Sequence, residues 1–596
     1  MKKTQKGLSR IVALALAVLI CFTGCSAIDL YKDARAAFRY LTGDGPPIAG
    51  GRGHTNNSQR RTIPYGEMEY VHPDGDLLIS QMEEIVLIAQ NPPSYDAILE
   101  GFGVLGAVIE EVYTMYTLAD LHTYQDVTDT YYPEEVNYCY SLIVDVFSLR
   151  TKFLRAALES EFGEQLRSDL GEETYQTVID SFLMESDEII PLSKERGELN
   201  NAYNNRLANL TVTVDGVTYT MEDIEDVYYS EGFDAYIALM KQYYSRENAQ
   251  WFADTYLRMI ELDKQTALTL GFASAADMYY LQYGRDYTPA DTMSFAAYTK
   301  ELFVDLAIDV EGSAPNFPSL NIEDAFSIMP SALAAIDSGL VDAWSFMLEY
   351  DLHDFEARAN KFSGGAFCTT IDAYDAPFIY GYWDGTFSSG TTLMHEFGHF
   401  YDSWYHFDTG SSGCLDVLEI YSQGLELLMQ EYFGLFTDNA DRARQAHLAD
   451  FMNPLAFQMM LEEFQLRVYQ LDTFDVDVIS RLYADISQEY GMYSVLVDEN
   501  GCDYSWIRIT HFFDAPFYTV SYWTSAIVAL QIWAAAQDDY QAGVDLYFAL
   551  ITANQNLPLT RLVESAGLQS PGDPATLRAI AEAIAEAFGL NPSNYV

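Results

Sequence analysis

Basic residues are scarce in this chain. Its 596 residues include 32 lysines and arginines against 88 aspartates and glutamates, so the formal net charge is −56. Nucleic acid is excluded as an expected partner, because phosphate binding needs clustered basic side chains. An anionic membrane surface would also repel a folded body of this charge. Two interpretations of the acidic excess remain open: it keeps a secreted monomer soluble, or its field favours cationic peptides.

The chain also lacks a cysteine pattern and a long apolar run. Four cysteines follow residue 25, far apart and without metal-ligand spacing, and the sequence does not show whether any of them pair. The apolar run at 11–20 is too short to span a bilayer. Core material is plentiful, since 49% of the residues are hydrophobic and 14% are aromatic. This composition excludes a disordered protein, and the length favours two or more packed subdomains.

The N-terminus has the layout of a secretory signal. Four basic residues precede the apolar run, and Phe22-Thr23-Gly24-Cys25 closes it. The closing sequence resembles a bacterial lipobox, in which the cysteine becomes the lipidated first residue of the mature chain. This predicts lipidation of Cys25 and an extracytoplasmic protein anchored to the bacterial cell membrane. A plain signal peptide with an incidental cysteine is the alternative.

Composition and periodicity divide the chain into four segments. Glycine and proline are concentrated after the signal, which is typical of a tether, and helical spacing begins beyond them. The predicted segments are a signal peptide at 1–24, a flexible tether at 25–65, an N-terminal helical region at 66–208 and a catalytic region at 209–596. Within the last segment, Asp215-Gly216 predicts a β-hairpin, and Thr220 with Asp223 can cap the helix that follows. Residues 366–386 look extended, and helices dominate from 389 to the end.

One motif indicates chemistry: His395-Glu396-Phe397-Gly398-His399. Residues four apart share a face of a helix, so both imidazoles can hold one tetrahedral Zn²⁺ per chain. Glu396 is placed to take a proton from zinc-bound water and give it to the leaving amine. With 9 histidines in 596 residues, an accidental match is on the order of 1%. Two core histidines with structural hydrogen bonds are the alternative.

A zinc peptidase needs a third protein ligand, and Glu419 is the candidate. It follows His399 by 20 residues, which is enough for a turn and a second antiparallel helix. An acidic residue among apolar neighbours is otherwise simply an exposed position. Glu426 and Asp416 lie on nearly the same helical face, and either could orient a ligand imidazole.

Several stretches together resemble oligoendopeptidase F, which belongs with thimet oligopeptidase among zinc peptidases that use two histidines and a glutamate. They are Gly365-Ala366-Phe367-Cys368, Ala376-Pro377-Phe378-Ile379, Asp384-Gly385-Thr386, the motif at 395–399 and Glu419-Ile420-Tyr421-Ser422-Gln423. The resemblance covers residues 195 to 590. It implies a mainly α fold: a helical two-lobed body with a deep central channel and a small β-sheet beside the zinc-binding helix.

The resemblance also implies a second wall of the active site. His511, Tyr518 and Tyr522 match a family segment that closes the site opposite the metal. Imidazole N–H and phenolic O–H donors would stabilise an oxyanion more strongly than the ground-state carbonyl. The alternative for the two tyrosines is an ordinary place in the core.

A strand near the motif is expected to bind the substrate backbone. An extended peptide could pair with it without side-chain selectivity. The predicted substrate-binding residues are Pro377, Phe378, Ile379, Tyr380 and Gly381. A strand paired only within its own sheet is the alternative.

These features predict a zinc metalloendopeptidase that hydrolyses internal bonds of short, unfolded oligopeptides by Glu-assisted attack of zinc-bound water. Two other classes remain open. One is a peptide-binding surface lipoprotein that no longer cleaves, and the other is a zinc-bound amide hydrolase acting on a non-peptide substrate.

Overall fold

A computed structural model describes residues 60–183, 188–407 and 414–596. The predicted signal peptide and Cys25 lie outside these residues, so the lipid anchor stays a prediction. The expected mainly α fold is confirmed, because helices dominate and the strands of the described residues form two small sheets. No helix in these ranges combines the length and the hydropathy needed to cross a bilayer. No disulfide joins the described cysteines.

The N-terminal helices have a core of their own. Apolar side chains of the first four helices form it, and Phe102 packs edge-on against Phe153 with ring centroids 5.1 Å apart. The fifth helix instead joins the larger core through Tyr203, whose ring stacks on Phe513 at 3.7 Å. The helices are α1 Gly75–Gln90, α2 Tyr95–Gln125, α3 Tyr131–Glu159, α4 Gly163–Leu183 and α5 Ile190–Ala208.

The expected hairpin and its following helix cap are confirmed. Strand β1 (Val212–Val214) pairs antiparallel with β2 (Val217–Tyr219). Both turn residues have positive φ, 52° at Asp215 and 82° at Gly216, as a two-residue hairpin turn requires. The Asp223 amide then donates to Thr220 Oγ1 at 3.2 Å, while the Thr220 amide donates to Asp223 Oδ2 at 2.8 Å. These reciprocal bonds satisfy backbone donors at the start of the next helix.

Eight α-helices of the described residues lie between the hairpin and the next strand, and they build much of the larger core. Side-chain caps start several of them, as at Ser245 and Thr288. They are α6 Met221–Ser230, α7 Phe233–Tyr243, α8 Arg246–Thr269, α9 Ala275–Gln282, α10 Pro289–Leu302, α11 Val304–Ser313, α12 Ile322–Ile336 and α13 Ser338–Glu349.

A three-stranded sheet lies next in the chain. It consists of β3 (His353–Asp354), β4 (Phe367–Ile371) and β5 (Ala376–Tyr380), in the order β3-β5-β4. Strand β5 pairs parallel to β3 and antiparallel to β4. It is therefore the central strand, and β4 is an edge.

The C-terminal helices complete the body. The first of them packs on the sheet and against the second, which in turn packs along the buried helix that begins at Val520. They are α14 Phe387–Tyr405, α15 Leu415–Leu428, α16 Phe433–Phe436, α17 Ala440–Val468, α18 Val476–Glu489, α19 His511–Asp514, α20 Val520–Asp538, α21 Tyr540–Ile551, α22 Leu559–Ser565 and α23 Pro574–Ala587.

The predicted tether ends earlier than expected. Arg61 forms ion pairs with Glu110 at 2.7 Å and Asp375 at 3.1 Å, and Thr62 Oγ1 donates to the Tyr374 carbonyl at 2.7 Å. Residues 60–65 are thus bound to the body, because their polar side chains find partners on α2 and on the sheet connection. The glycine- and proline-rich part of the tether lies outside the described residues.

Candidate active site

The motif histidines lie on α14, which starts at a defined turn. Asp384 Oδ1 accepts hydrogen bonds from the Thr386 amide at 2.8 Å and from Ser389 Oγ at 2.6 Å. The helix that follows carries His395 and His399 one turn apart, with ring centroids separated by 5.1 Å. Their side chains are 24% and 22% exposed. Both imidazoles therefore reach an accessible surface although the helix around them is largely buried.

Gly398 lets α15 come close to this helix. A Cβ at Gly398 would lie 2.5 Å from Ser422 Cα and 2.6 Å from the Tyr421 carbonyl oxygen. Real Cβ atoms do not approach backbone so closely, so only glycine fits here. The contact lies one turn beyond Glu419 on α15, which holds that carboxylate beside the two imidazoles.

The three expected metal ligands converge. Glu419 Oε2 lies 3.3 Å from His395 Nε2 and 3.5 Å from His399 Nε2. Ligand atoms about 2.0–2.1 Å from a tetrahedral zinc ion would be separated by about 3.4 Å. The residues present therefore fit such an ion. In the described ranges, this is the one group of histidine, cysteine and acidic side chains whose ligand atoms could hold a metal.

Glu396 lies beside these ligands without forming part of the group. It is buried, and its Oε2 atom has no hydrogen-bond partner among the described residues. Burial raises the pKa of its carboxyl, while the neighbouring imidazoles lower it. A buried carboxylate oxygen without a protein donor calls for water or substrate as its partner.

Glu426 orients His395, as one of the two expected orienting residues. Its Oε2 atom lies 2.9 Å from His395 Nδ1, and its Oε1 atom bonds to Nε2 of the buried His447. Burial alone would raise the pKa of the Glu426 carboxyl, but its hydrogen bonds with His447 and His395 lower it. The carboxylate is thus ionised and holds the ligand imidazole with Nε2 directed at the metal position.

The prediction that Asp416 orients an imidazole is wrong. Its carboxylate accepts from Arg285 Nε at 3.1 and 3.2 Å and from the Tyr287 hydroxyl at 2.5 Å. The first turn of α15 faces the α9–α10 link, and the guanidinium there binds this carboxylate instead. The position of Asp416 on the same helical face as Glu419 therefore did not determine which side chain it binds.

The predicted second wall comes together as a cluster. The ring centroid of His511 lies 5.6 Å from that of Tyr518 and 6.1 Å from that of Tyr522. The centroids of the two tyrosine rings are 5.1 Å apart. The tyrosines pack against Leu418, which directly precedes Glu419. Burial lowers the pKa of His511, which favours a neutral imidazole. The expected oxyanion donors thus lie next to α15, the helix that carries Glu419.

The expected substrate strand is not available to a peptide. Pro377, Phe378, Ile379, Tyr380 and Gly381 are all buried, and β5 has β3 on one edge and β4 on the other. The prediction that these residues bind the substrate backbone is therefore wrong, because a central strand has no free edge. Strand β4 has an outer edge that pairs with no other strand of the described residues.

Sequence reasoning missed His447 and Arg285. His447 lies on α17, 21 residues beyond Glu426, with no fixed spacing to the motif. The scarcity of histidine, 9 in the chain, was the available signal. Arg285 lies in the stretch Tyr283-Gly284-Arg285-Asp286-Tyr287-Thr288, which resembles a helix-joining segment of the oligoendopeptidase F family, but the sequence did not indicate its partners.

A helical body with a His-Glu-x-x-His helix and a third ligand from a neighbouring helix belongs to the metallopeptidases. Residues 339–582 match the sequence profile of Peptidase family M3, and residues 65–180 match the Peptidase M3 N-terminal domain. These segments together span more than half of the chain. The protein belongs to peptidase family M3, and its homologues include oligoendopeptidase F.

Two curated relatives carry that resemblance at low identity. The chain is 24% identical over 236 residues to an oligoendopeptidase F homolog of Mycoplasma genitalium, and 22% identical over 248 residues to oligopeptidase PepF of Bacillus subtilis. These matches span 36% and 39% of this chain, and 39% and 35% of the relatives. Less than two fifths of each relative's length is therefore compared.

Solved structures extend the likeness of fold over nearly the whole chain. An X-ray structure described as oligoendopeptidase F has a TM-score of 0.73 at 21% identity and covers 89% of this chain and 99% of its own. Pz peptidase A with an inhibitor has a TM-score of 0.72 at 20% identity, covering 88% and 99%. An oligoendopeptidase F from Bacillus anthracis has a TM-score of 0.69 at 20% identity, covering 89% and 98%. At these identities the likeness establishes the fold.

Proposed function

We propose that this protein is a zinc-dependent endopeptidase that hydrolyses internal bonds of short, unfolded oligopeptides. The observation that carries the proposal is the convergence of His395 Nε2, His399 Nε2 and Glu419 Oε2, with both imidazole nitrogens within 3.5 Å of the carboxylate oxygen. The name of the Bacillus subtilis relative, an oligopeptidase, supports the substrate class.

The metal position would be held by His395, His399 and Glu419. Zinc bound there would act as a Lewis acid on the scissile carbonyl and acidify a water molecule. Glu396 supplies the proton transfers: its buried Oε2 atom accepts a proton from the attacking water and later returns it to the departing amine.

The charge that develops on the attacked carbonyl would be met by the second wall. Tyr518, Tyr522 and His511 form one cluster beside α15. Hydrogen bonds that strengthen only as the oxyanion forms lower the barrier without tightening substrate binding.

The substrate backbone would pair with β4 rather than with β5. The Ile379 amide donates to the Leu352 carbonyl at 3.1 Å, on the β3 side. Its partner across the antiparallel pair lies on β4, so alternate residues of β4, such as Thr370, direct their backbone groups to the outer edge. An extended peptide can add to such an edge through main-chain hydrogen bonds alone.

Zinc content and peptide cleavage test the proposal together. The mature chain should bind one zinc and cleave a quenched peptide, lose both on chelation and regain both when zinc is added. Glu396→Gln should abolish turnover while zinc stays bound, because the amide cannot accept the proton. Full zinc without cleavage across a broad peptide set would instead favour a peptide-binding protein, and loss of zinc from Glu396→Gln would contradict the assigned role.

A further inference from the structure

Arg285 connects the helix that carries Glu419 to the segment that carries Tyr518 and Tyr522. It lies in the link between α9 and α10, and its side chain is 0% exposed, as is that of its partner Asp416 on α15. The same guanidinium donates from Nη1 to the Phe517 carbonyl at 2.8 Å and from Nη2 to Ser521 Oγ at 2.8 Å. One buried cation therefore binds both α15, which carries Glu419, and the segment that carries Tyr518 and Tyr522.

The segment held by Arg285 is strained. Phe517 has φ 62°, in the left-handed region that a bulky residue rarely adopts. Such a conformation persists only where the surroundings determine it. Here both backbone groups of Phe517 are bound, since its amide donates to Gln465 Oε1 at 2.9 Å while its carbonyl accepts from Arg285. The Tyr283 hydroxyl also donates to the Pro516 carbonyl at 2.9 Å.

The contacts of Arg285 fall on the immediate neighbours of the oxyanion donors. Phe517 precedes Tyr518, and Ser521 precedes Tyr522. We infer that Arg285 is a positioning residue, which sets Tyr518 and Tyr522 relative to Glu419 and so aligns the oxyanion donors with the metal. This inference rests on the proposed function.

The geometry requires an arginine at this position. The planar guanidinium reaches the carboxylate, the carbonyl and the hydroxyl at once, each with its own N–H groups. A lysine would keep the charge opposite Asp416 but would present one ammonium to partners on two separate elements. Arg285→Lys therefore keeps the buried ion pair while loosening the tyrosine segment.

The kinetic test compares Arg285→Lys with two other variants of the full zinc-loaded chain. Tyr522→Phe removes one donor itself, and Tyr287→Phe removes a hydrogen bond to Asp416 without touching the tyrosine segment. Arg285→Lys should lower kcat about 10- to 100-fold with KM within about twofold, as Tyr522→Phe does, because misplaced donors weaken only the transition state. Zinc content should stay at the parent's level. Tyr287→Phe should lower the melting temperature with a much smaller change in kcat.

Ser521→Ala provides a milder variant if Arg285→Lys folds poorly. It removes the Nη2 partner, together with the hydrogen bond that Ser521 Oγ donates to Asp416 Oδ1, and keeps the Arg285–Asp416 pair, so a smaller loss of kcat at constant KM is expected. Equal losses of kcat in Tyr287→Phe and Arg285→Lys, or unchanged kcat in both Arg285→Lys and Ser521→Ala, would overturn the inference.

A crystal structure of Arg285→Lys tests the inference independently of turnover. Phe517 should leave the left-handed region, and the rings of Tyr518 and Tyr522 should move relative to Glu419. Rings that stay in place would overturn the positioning role even if the parent enzyme cleaves peptides. Conversely, failure of the parent chain to cleave any peptide would reject the proposed function, while displaced rings would still support the role of Arg285.

Discussion

At the residue scale, a buried hydrogen-bond chain leads from the candidate metal into the core. Trp533 Nε1 donates to Gln430 Oε1 at 3.1 Å, and Gln430 Nε2 lies 2.7 Å from His447 Nδ1. Since the amide nitrogen can only donate, His447 Nδ1 accepts and its proton resides on Nε2. His447 therefore donates to Glu426, which in turn fixes the tautomer of His395. The orientation of a metal ligand thus depends on residues that do not touch the metal.

His447→Leu should weaken zinc binding by about 10- to 100-fold. The substitution leaves one oxygen of the buried Glu426 carboxylate without its donor, so the carboxylate is no longer held against His395. Competition with a chelating indicator measures the zinc Kd directly. His406→Leu is the comparison variant, because His406 is also buried but bonds to Asp402 at 2.8 Å and to the Ile551 carbonyl at 3.0 Å rather than to Glu426. If both variants lose the same zinc affinity, the effect is general destabilisation.

The ligand set illustrates what single residues reveal in a sequence. His395, Glu396 and His399 were predictable because a spacing of four encodes proximity on a helix. His447 and Arg285 were not, because their partners lie 21 and 131 residues away. Asp416 was misjudged for the same reason: its helical face was predictable, but the guanidinium that binds it comes from another part of the chain.

At the element scale, the distance between α14 and α15 decides whether the ligands meet. The two helices are in backbone contact at Gly398, where the backbone of Ser422 and Tyr421 occupies the space of a side chain. The packing of α14 against α15 thus depends on the missing side chain at Gly398.

Gly398→Ala should reduce zinc affinity and lower the melting temperature. The added methyl group would have to displace backbone rather than a flexible side chain, which moves Glu419 away from the imidazoles. Gly103→Ala is the control: it lies inside α2 with nothing within 4 Å of the added Cβ. That variant should gain about 0.5–1 kcal/mol of stability from helix propensity alone. Unchanged zinc affinity in Gly398→Ala would show that the helices adjust without consequence.

Strand order is an element-scale property that the sequence did not determine. Extended segments at 366–386 were predictable from their composition, but a central and an edge strand have similar local patterns. The two-residue strand β3 makes β5 central, and it lies 22 residues before β5, outside the stretch 366–386 that was expected to be extended. The expected substrate strand was therefore assigned to a strand with no free edge.

An N-methyl scan of a peptide substrate tests the assignment to β4. A peptide that adds to an edge presents every second backbone amide to it. Methylation should therefore raise KM at alternate positions and have little effect at the positions between. Measurements of KM along one peptide, with the residues nearest the scissile bond left unmethylated, give the pattern. Equal effects at all positions would argue against strand pairing.

At the scale of the whole molecule, the net charge of −56 gives the protein a negative long-range field. The acidic excess was evident from composition, but its consequence for substrates depends on long-range electrostatics rather than on any single contact. Long-range steering of a charged peptide is screened once the Debye length, about 10 Å at 0.1 M salt, falls below the distance of approach. Salt therefore separates the two interpretations of the acidic composition.

Cationic peptides should lose reactivity as salt increases. We expect kcat/KM for a peptide with lysines distant from the scissile bond to fall about 3- to 10-fold between about 0.05 and 0.5 M NaCl, because the field raises the encounter rate. The same peptide with glutamines in place of the lysines should change little, and the glutamate version should rise as its repulsion is screened. Initial rates at substrate concentrations well below KM report kcat/KM for all three peptides. Parallel salt dependences would mean that the acidic surface serves solubility and leaves substrate choice to the site.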